Sequence, residues 1–305
     1  MATLRETKDR IGSVRSTLKI TSAMKLVASA KLRKAQKAIE GMRPYERTLA
    51  EILAAVRTGE SSPRADRNYF SDKFAEKPIS APPSTTPAHD SPVPGKTAII
   101  AIASNSSLCG AFNANVVRKA LETIRACEGE VEVIPVGRKM AEALRRAGYT
   151  NPADFNDIIG HPSYEKSTAL ARSLAERFQA GELSRVVLVY NRFISSARQE
   201  PVAEVYLPFG EILRSAQDDK DKDDYIIEPD AETLLATLLP QVMMLKFHAA
   251  VLDSAAAEHA ARTVAMQTAS DNAEELLGEL TLEYNKGRQQ KITAEILDLL
   301  GGAAQ

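Results

Sequence analysis

Written in sevens, residues 4–56 align two apolar columns. One runs Leu4, Ile11, Leu18, Lys25, Leu32, Ile39, Glu46, Leu53 and the other Thr7, Val14, Thr21, Ala28, Ala35, Met42, Leu49, Val56; twelve of the sixteen positions are apolar. The C-terminal stretch repeats the pattern with Leu235, Val242, Ala249, Ala256, Thr263, Ser270, Leu277, Tyr284 against Leu238, Leu245, Leu252, His259, Met266, Ala273, Leu280, Gly287, again twelve of sixteen. A repeat of 3.5 held over about eight heptads predicts a coiled coil, with a plain helical hairpin as the simpler alternative. At 1.5 Å per residue the helices would be about 80 Å and 100 Å long, too long for one globule. The chain between them must join the end of one to the start of the other. The expected arrangement is therefore an antiparallel pair with a middle domain at one end, a narrow seam, and the longer C-terminal helix projecting beyond its partner. Small seam residues such as Ala28, Ala35, Ala249, Ala256, Ser270 and Ala273 predict a slim rod. Pro44 and Pro240 predict local kinks. After Gly287 the apolar positions shift to Ile292, Ile296 and Leu299, so the last turns should leave the pair.

Between the helices the period changes. Residues 58–96 hold seven of the fifteen prolines and read as a flexible insertion. From Thr97 apolar runs alternate with amphipathic segments: strands at 97–103, 131–136 and 185–190, helices near 113–127, 138–147 and 165–180, and a further strand near 202–207. This predicts a mainly parallel α/β sheet. The fold class is thus α/β plus long α, an antiparallel coiled coil with an inserted Rossmann-like α/β domain. Its divisions are helix 1–57, insertion 58–96, α/β domain 97–213, acidic loop 214–230 and helix 231–305.

Composition adds little until charge is sorted along the chain. The net charge is −1 overall, yet residues 1–57 carry 13 basic against 5 acidic residues and residues 231–305 carry 5 against 10. Between Arg10 and Lys37 every charged residue is basic. Such asymmetry fits either an interaction face or attraction between the two ends. A basic strip can follow phosphate backbones, but no aromatic residue precedes Tyr45 to stack on bases. A slim cationic rod also fits inside a hollow acidic partner. Two cysteines, Cys109 and Cys127, offer no disulfide framework and suit a reducing compartment.

Candidate chemistry is sparse. Gly95-Lys96-Thr97 precedes its strand instead of following it, and the first glycine of a phosphate loop would fall at Asp90. Ser104–Gly110 follows the first strand but lacks the glycine spacing of a dinucleotide loop, so a tight turn is expected. The four histidines are too far apart in sequence for a local metal pair, and Cys109 has no neighbouring base to activate it. No catalytic residue, metal or cofactor is predicted.

The segment Arg10-Ile11-Gly12-Ser13-Val14-Arg15-Ser16-Thr17-Leu18-Lys19-Ile20-Thr21-Ser22-Ala23-Met24-Lys25-Leu26-Val27-Ala28 resembles the N-terminal helix of the F-type ATP synthase gamma subunit. Glu258–Met266, Leu280–Gln289 and Ile292–Ile296 resemble that family's closing helix, and Leu108-Cys109-Gly110-Ala111-Phe112-Asn113, Gln199-Glu200-Pro201 and Tyr225–Asp230 its α/β domain. Two departures stand out: the insertion 58–96 is longer than usual, read as an inert extension with a regulatory element contacting the stator ring as the alternative, and Asn105-Ser106-Ser107 replaces the usual Asp-Arg-Gly. The resemblance implies a non-catalytic rotor shaft standing in a ring of alternating alpha and beta subunits. Its α/β domain would sit with epsilon on the membrane-embedded c-ring, with no nucleic acid bound. It further implies contacts to the alpha/beta ring by Met24, Lys25, Arg262, Arg288, Gln289, Thr293 and Glu295. The expected location is the cytoplasmic face of a bacterial inner membrane. Glu6, Asp9 and the early start of the match argue against a transit peptide.

Overall fold

The computed structural model describes residues 3–59, 96–151, 153, 155–208 and 231–302. The acidic loop 214–230 and almost all of the insertion lie outside the described residues. Two helices frame the chain, α1 (Leu4–Gly59) and a final helix of 72 residues (Ala231–Gly302). Between them, in order, come β1 (Lys96–Ile102), α2 (Phe112–Ala126), β2 (Val131–Val136), α3 (Arg138–Arg146), α4 (Asn156–Gly160), α5 (Tyr164–Gln179), β3 (Leu183–Phe193) and β4 (Gln199–Leu207); the closing helix is α6. Of these only the short α4 was not foreseen.

The N-terminus of α1 is fixed by a reciprocal cap. The Glu6 amide donates to Thr3 Oγ1 at 3.3 Å, and the Thr3 amide donates to Glu6 Oε2 at 2.8 Å. This satisfies two donors the helix itself cannot pair. Both columns of α1 and both of α6 are buried or half-buried at every position whose side chain is described. The helices run antiparallel: Leu4 lies against Gly287, and the Thr21 and Ser270 hydroxyls share a 2.8 Å hydrogen bond. Pro44 and Pro240 sit inside continuous helices.

The sheet has the order β2-β1-β3-β4, with β1 parallel to β2 and β3, and β3 antiparallel to β4. Both faces of β1 are apolar, as a doubly covered sheet requires. Ile99, Ala101 and Ala103 meet Val116, Ala120 and Ile124 of α2 and Met140 and Leu144 of α3. Ala98, Ile100 and Ile102 share the opposite core with Leu170, Ala171 and Leu174 of α5 and with Val242, Phe247 and Val251 of α6. At the end of β2 the chain passes so close to β1 that a Cβ on Gly137 would lie 2.1 Å from the Ala103 carbonyl oxygen, and its φ is 100°. Only glycine fits there.

This packing corrects one expectation. The middle domain sits at the expected end of the rod but lies alongside the helices, so the seam is narrow only where α6 runs on past Arg262. Over Leu239–Arg262 α6 is buried on most of its surface, by α1 on one side and the sheet on the other. Tyr206 of β4 donates its hydroxyl to the Met243 carbonyl at 2.9 Å and stacks edge-on against Phe247.

Candidate functional site

Because Leu4 meets Gly287, residues 288–302 run on past the end of α1, about 22 Å of unpaired helix. Arg288, Gln289, Thr293 and Glu295 all lie on this overhang and are exposed. Their own contacts are local: Thr293 Oγ1 donates to the Gln289 carbonyl at 2.9 Å, and Glu295 faces Lys291 at 3.8 Å. Ile292, Ile296 and Leu297 are 46%, 50% and 62% exposed on the same turns. An apolar stripe with i, i+4 spacing and, among the described residues, nothing of its own chain against it is built for an outside partner.

Met24 and Lys25 occupy the N-terminal half of α1, and both are half-buried. Lys25 belongs to a seam column, and its ammonium donates to Gln267 Oε1 across the pair. The outward positions beside them are Ile20, Leu26 and Val27, each more than half exposed. Sequence reasoning passed over these three, although apolar residues off both heptad columns were a usable signal. Exposed Lys19, Lys31, Arg33, Lys34 and Lys37 surround the patch. The ion pairs of α1 and α6 among the described residues run within a single helix, as in Arg47–Glu51 and Glu258–Arg262. Apart from Lys25 in the seam and Lys31, whose charge acts on Glu258 and His259, the basic strip of α1 thus faces outward and is not consumed in closing the pair.

Arg262 is placed differently from the other predicted contacts. It is buried, paired with Glu258 at 2.6 Å, and reaches the loop after β1. Burial pushes the Glu258 carboxyl up, opposed by the guanidinium. Nearby in the seam, burial drives His259 down to about 4, helped by Arg262 and Lys31, so the ring is neutral. Burial likewise raises the Cys109 thiol, which keeps it unreactive. Among the described residues no three His, Cys, Asp or Glu side chains gather as metal ligands, and no helix is long and apolar enough to cross a membrane.

Fold and surface together define a two-helix rod, clad by an α/β domain along half its length and bare at one end. The family model for ATP synthase matches residues 3–305. The ATP synthase gamma chain of Bacteroides fragilis is 46% identical, with 99% of each chain covered, and that of Bacteroides thetaiotaomicron is 44% identical over both full lengths. Among solved structures, a chain of the Euglena gracilis mitochondrial ATP synthase F1/c-ring assembly superposes with a TM-score of 0.61 at 22% identity, covering 99% of this chain and 93% of that one. A chain of the Tetrahymena thermophila central stalk and c-ring gives 0.55, covering 82% and 99%. The chain belongs to the ATP synthase gamma chain family. It is a central-stalk subunit, and the catalytic chemistry of the complex resides on other chains.

Proposed function

We propose that the coiled coil stands inside a ring of alternating alpha and beta subunits while the α/β domain rests with epsilon on the c-ring, at the cytoplasmic face of a bacterial inner membrane. Ion flow through the membrane turns the c-ring and this chain together. The asymmetric rod then favours a different conformation at each of three chemically identical beta sites, which is a mechanical population shift. The observation that carries this reading is the bare overhang: a helix end with Ile292, Ile296 and Leu297 exposed needs a sleeve around it. Arg288, Gln289, Thr293 and Glu295 supply polar contacts within that sleeve. Lower down, Met24 and Lys25 border the patch of Ile20, Leu26 and Val27, and the surrounding lysines and arginines fit an acidic lever on beta.

The test is to purify the tagged chain from its native membranes, weigh its partners and assay ATP hydrolysis. Alpha and beta in threefold excess, with hydrolysis only in the complex, is the expected outcome; recovery of the chain alone overturns the reading. Within the complex, Arg288→Ala with Gln289→Ala should leave the chain folded and lower the ratio of ions pumped to ATP hydrolysed. An unchanged ratio removes these two residues from the contact.

A further inference from the structure

Glu258 and Arg262 lie one turn apart on α6, their side chains only 9% and 10% exposed. Taking an ion pair out of water is unfavourable unless its remaining donors are also used, so a buried pair points to geometry more than to stability. Here the donors are used across the domain boundary. Arg262 Nη2 donates to Ser106 Oγ at 2.8 Å and lies 3.5 and 3.4 Å from the Ser106 and Ser107 carbonyl oxygens. The guanidinium therefore spans from the rod to the loop joining β1 to α2.

That loop is braced from its own side as well. Ser104 Oγ donates to the Ser106 carbonyl at 2.6 Å, and Asn113 Nδ2 donates to Cys109 Sγ at 3.2 Å. Leu108 has a φ of 65°, a conformation a non-glycine residue keeps only where its surroundings enforce it. Leu108 is also exposed, so its own side chain does not do the enforcing. Beneath the loop, Cys109 and Phe112 pack on Ala257 and Ala261. Elsewhere the sheet meets α6 largely through apolar surfaces, which resist separation but have little preference for angle. A planar guanidinium fixed by Glu258 through Nη1 and bonded to the Ser106 hydroxyl through Nη2 has a strong one.

We propose that Arg262 is a positioning residue that locks the β1–α2 loop to α6 and so fixes the angle of the α/β domain about the rod, letting torque pass from one to the other without slip. Its consequence for coupling rests on the rotor reading above; the lock itself does not. In this chain serines stand where the family's usual Asp-Arg-Gly would place an arginine and a glycine, so the acceptors of Arg262 are a hydroxyl and two main-chain carbonyls.

The test replaces both charges by apolar side chains of similar size, Glu258→Leu with Arg262→Met, so that no lone buried charge prevents folding. In the full-length chain, amide exchange at residues 105–110 should quicken at least about tenfold, the equivalent of one charged hydrogen bond, while β1 and β3 stay protected. In the assembled complex the ratio of ions pumped to ATP hydrolysed should fall. A Cβ on Gly110 would lie 3.8 Å from the Ala265 Cβ, the ordinary Cβ separation of a disulfide. Because Gly110 has a φ of 57°, where a cysteine is strained, the pair Gly110→Cys with Ala265→Cys in the charge-free background is compared oxidised against reduced, and oxidation should slow exchange and restore the ratio. Unchanged exchange overturns the lock. Faster exchange with unchanged coupling, or lost coupling that the disulfide does not restore, removes the lock from the path of torque. Failure of the wild-type chain to assemble with an ATPase would instead sink the rotor reading, leaving the exchange result to stand alone.

Discussion

One helix serves two unlike regions. Over Leu239–Arg262 α6 is wrapped by α1 and the sheet, and even Glu258 and Arg262 are buried; beyond Gly287 every side chain of the same helix described, residues 288–297, is exposed. The clad part runs Ala249-Ala250-Val251-Leu252-Asp253-Ser254-Ala255-Ala256-Ala257, small residues that let two neighbours approach at once. The bare part is polar, with Ile292 and Ile296 one turn apart and Leu297 beside the second. Over 249–257, where α6 has neighbours on two sides, most side chains are small, whereas the overhang keeps large apolar ones exposed.

The sharpest way to separate the two regions is by cavity. Phe247 is wholly buried, its ring centroid 5.7 Å from that of Tyr206. Phe247→Ala should lower unfolding stability by about 3–5 kcal/mol. Leu297→Ala, on the overhang at a position 62% exposed, should change it by less than about 0.5 kcal/mol. Denaturant titration of both variants checks the pair; comparable losses would erase the distinction between clad and bare helix.

The next effect is electrostatic and confined to the clad region. Asp253 has its carboxyl pushed up to about 6 by burial and by Glu46, against the opposing pull of Arg43 and Arg192. A folded pKa above the unfolded carboxylate value means that stability is greatest below about pH 4 and is lost as pH rises through about 6. Asp253→Asn should therefore raise stability at pH 7.5, by at most about 3 kcal/mol, and leave it unchanged at pH 4. Burial raises the Glu46 and Glu258 carboxyls in the same sense, so the variant's pH slope should flatten and not vanish. Thermal melts across pH 4–7.5 decide it; a loss at neutral pH would mean that Arg43 and Arg192 outweigh burial. Smaller again is Tyr206→Phe, which deletes the hydroxyl donated to Met243 and should lower the melting temperature by the equivalent of about 1 kcal/mol.

How much of this was legible differs between the two regions. The heptad columns placed the pair and the overhang, because a period of 3.5 survives whatever else touches a helix. The cladding was hidden. Alanine fits a seam, a second interface or a solvated face equally well, so residues 249–261 did not announce that the sheet lies against them. Lys25 illustrates the same limit: its identity suggested an outward charge, but its column put it in the seam beside Gln267. Arg262 matched the family's pattern by residue, yet only the three-dimensional approach of the β1–α2 loop gives its guanidinium partners. What depended on contacts between distant segments was silent, and what depended on period was plain.

The smallest expected change in stability belongs to the overhang itself. Replacing Ile292 and Ile296 by serine removes apolar surface that is about half exposed already, so no cavity forms and no buried polar group appears. Serine is a weaker helix former than leucine or lysine but close to isoleucine, so the helix should persist. The isolated chain should melt within about 0.5 kcal/mol of wild type. If a sleeve encloses these turns in the complex, the same substitution removes apolar surface that assembly would bury, and recovery of the intact complex should fall while the free chain is unaffected. A large destabilisation of the free chain would show that the last turns fold back onto their own protein, and the bare end would then be no different in kind from the clad one.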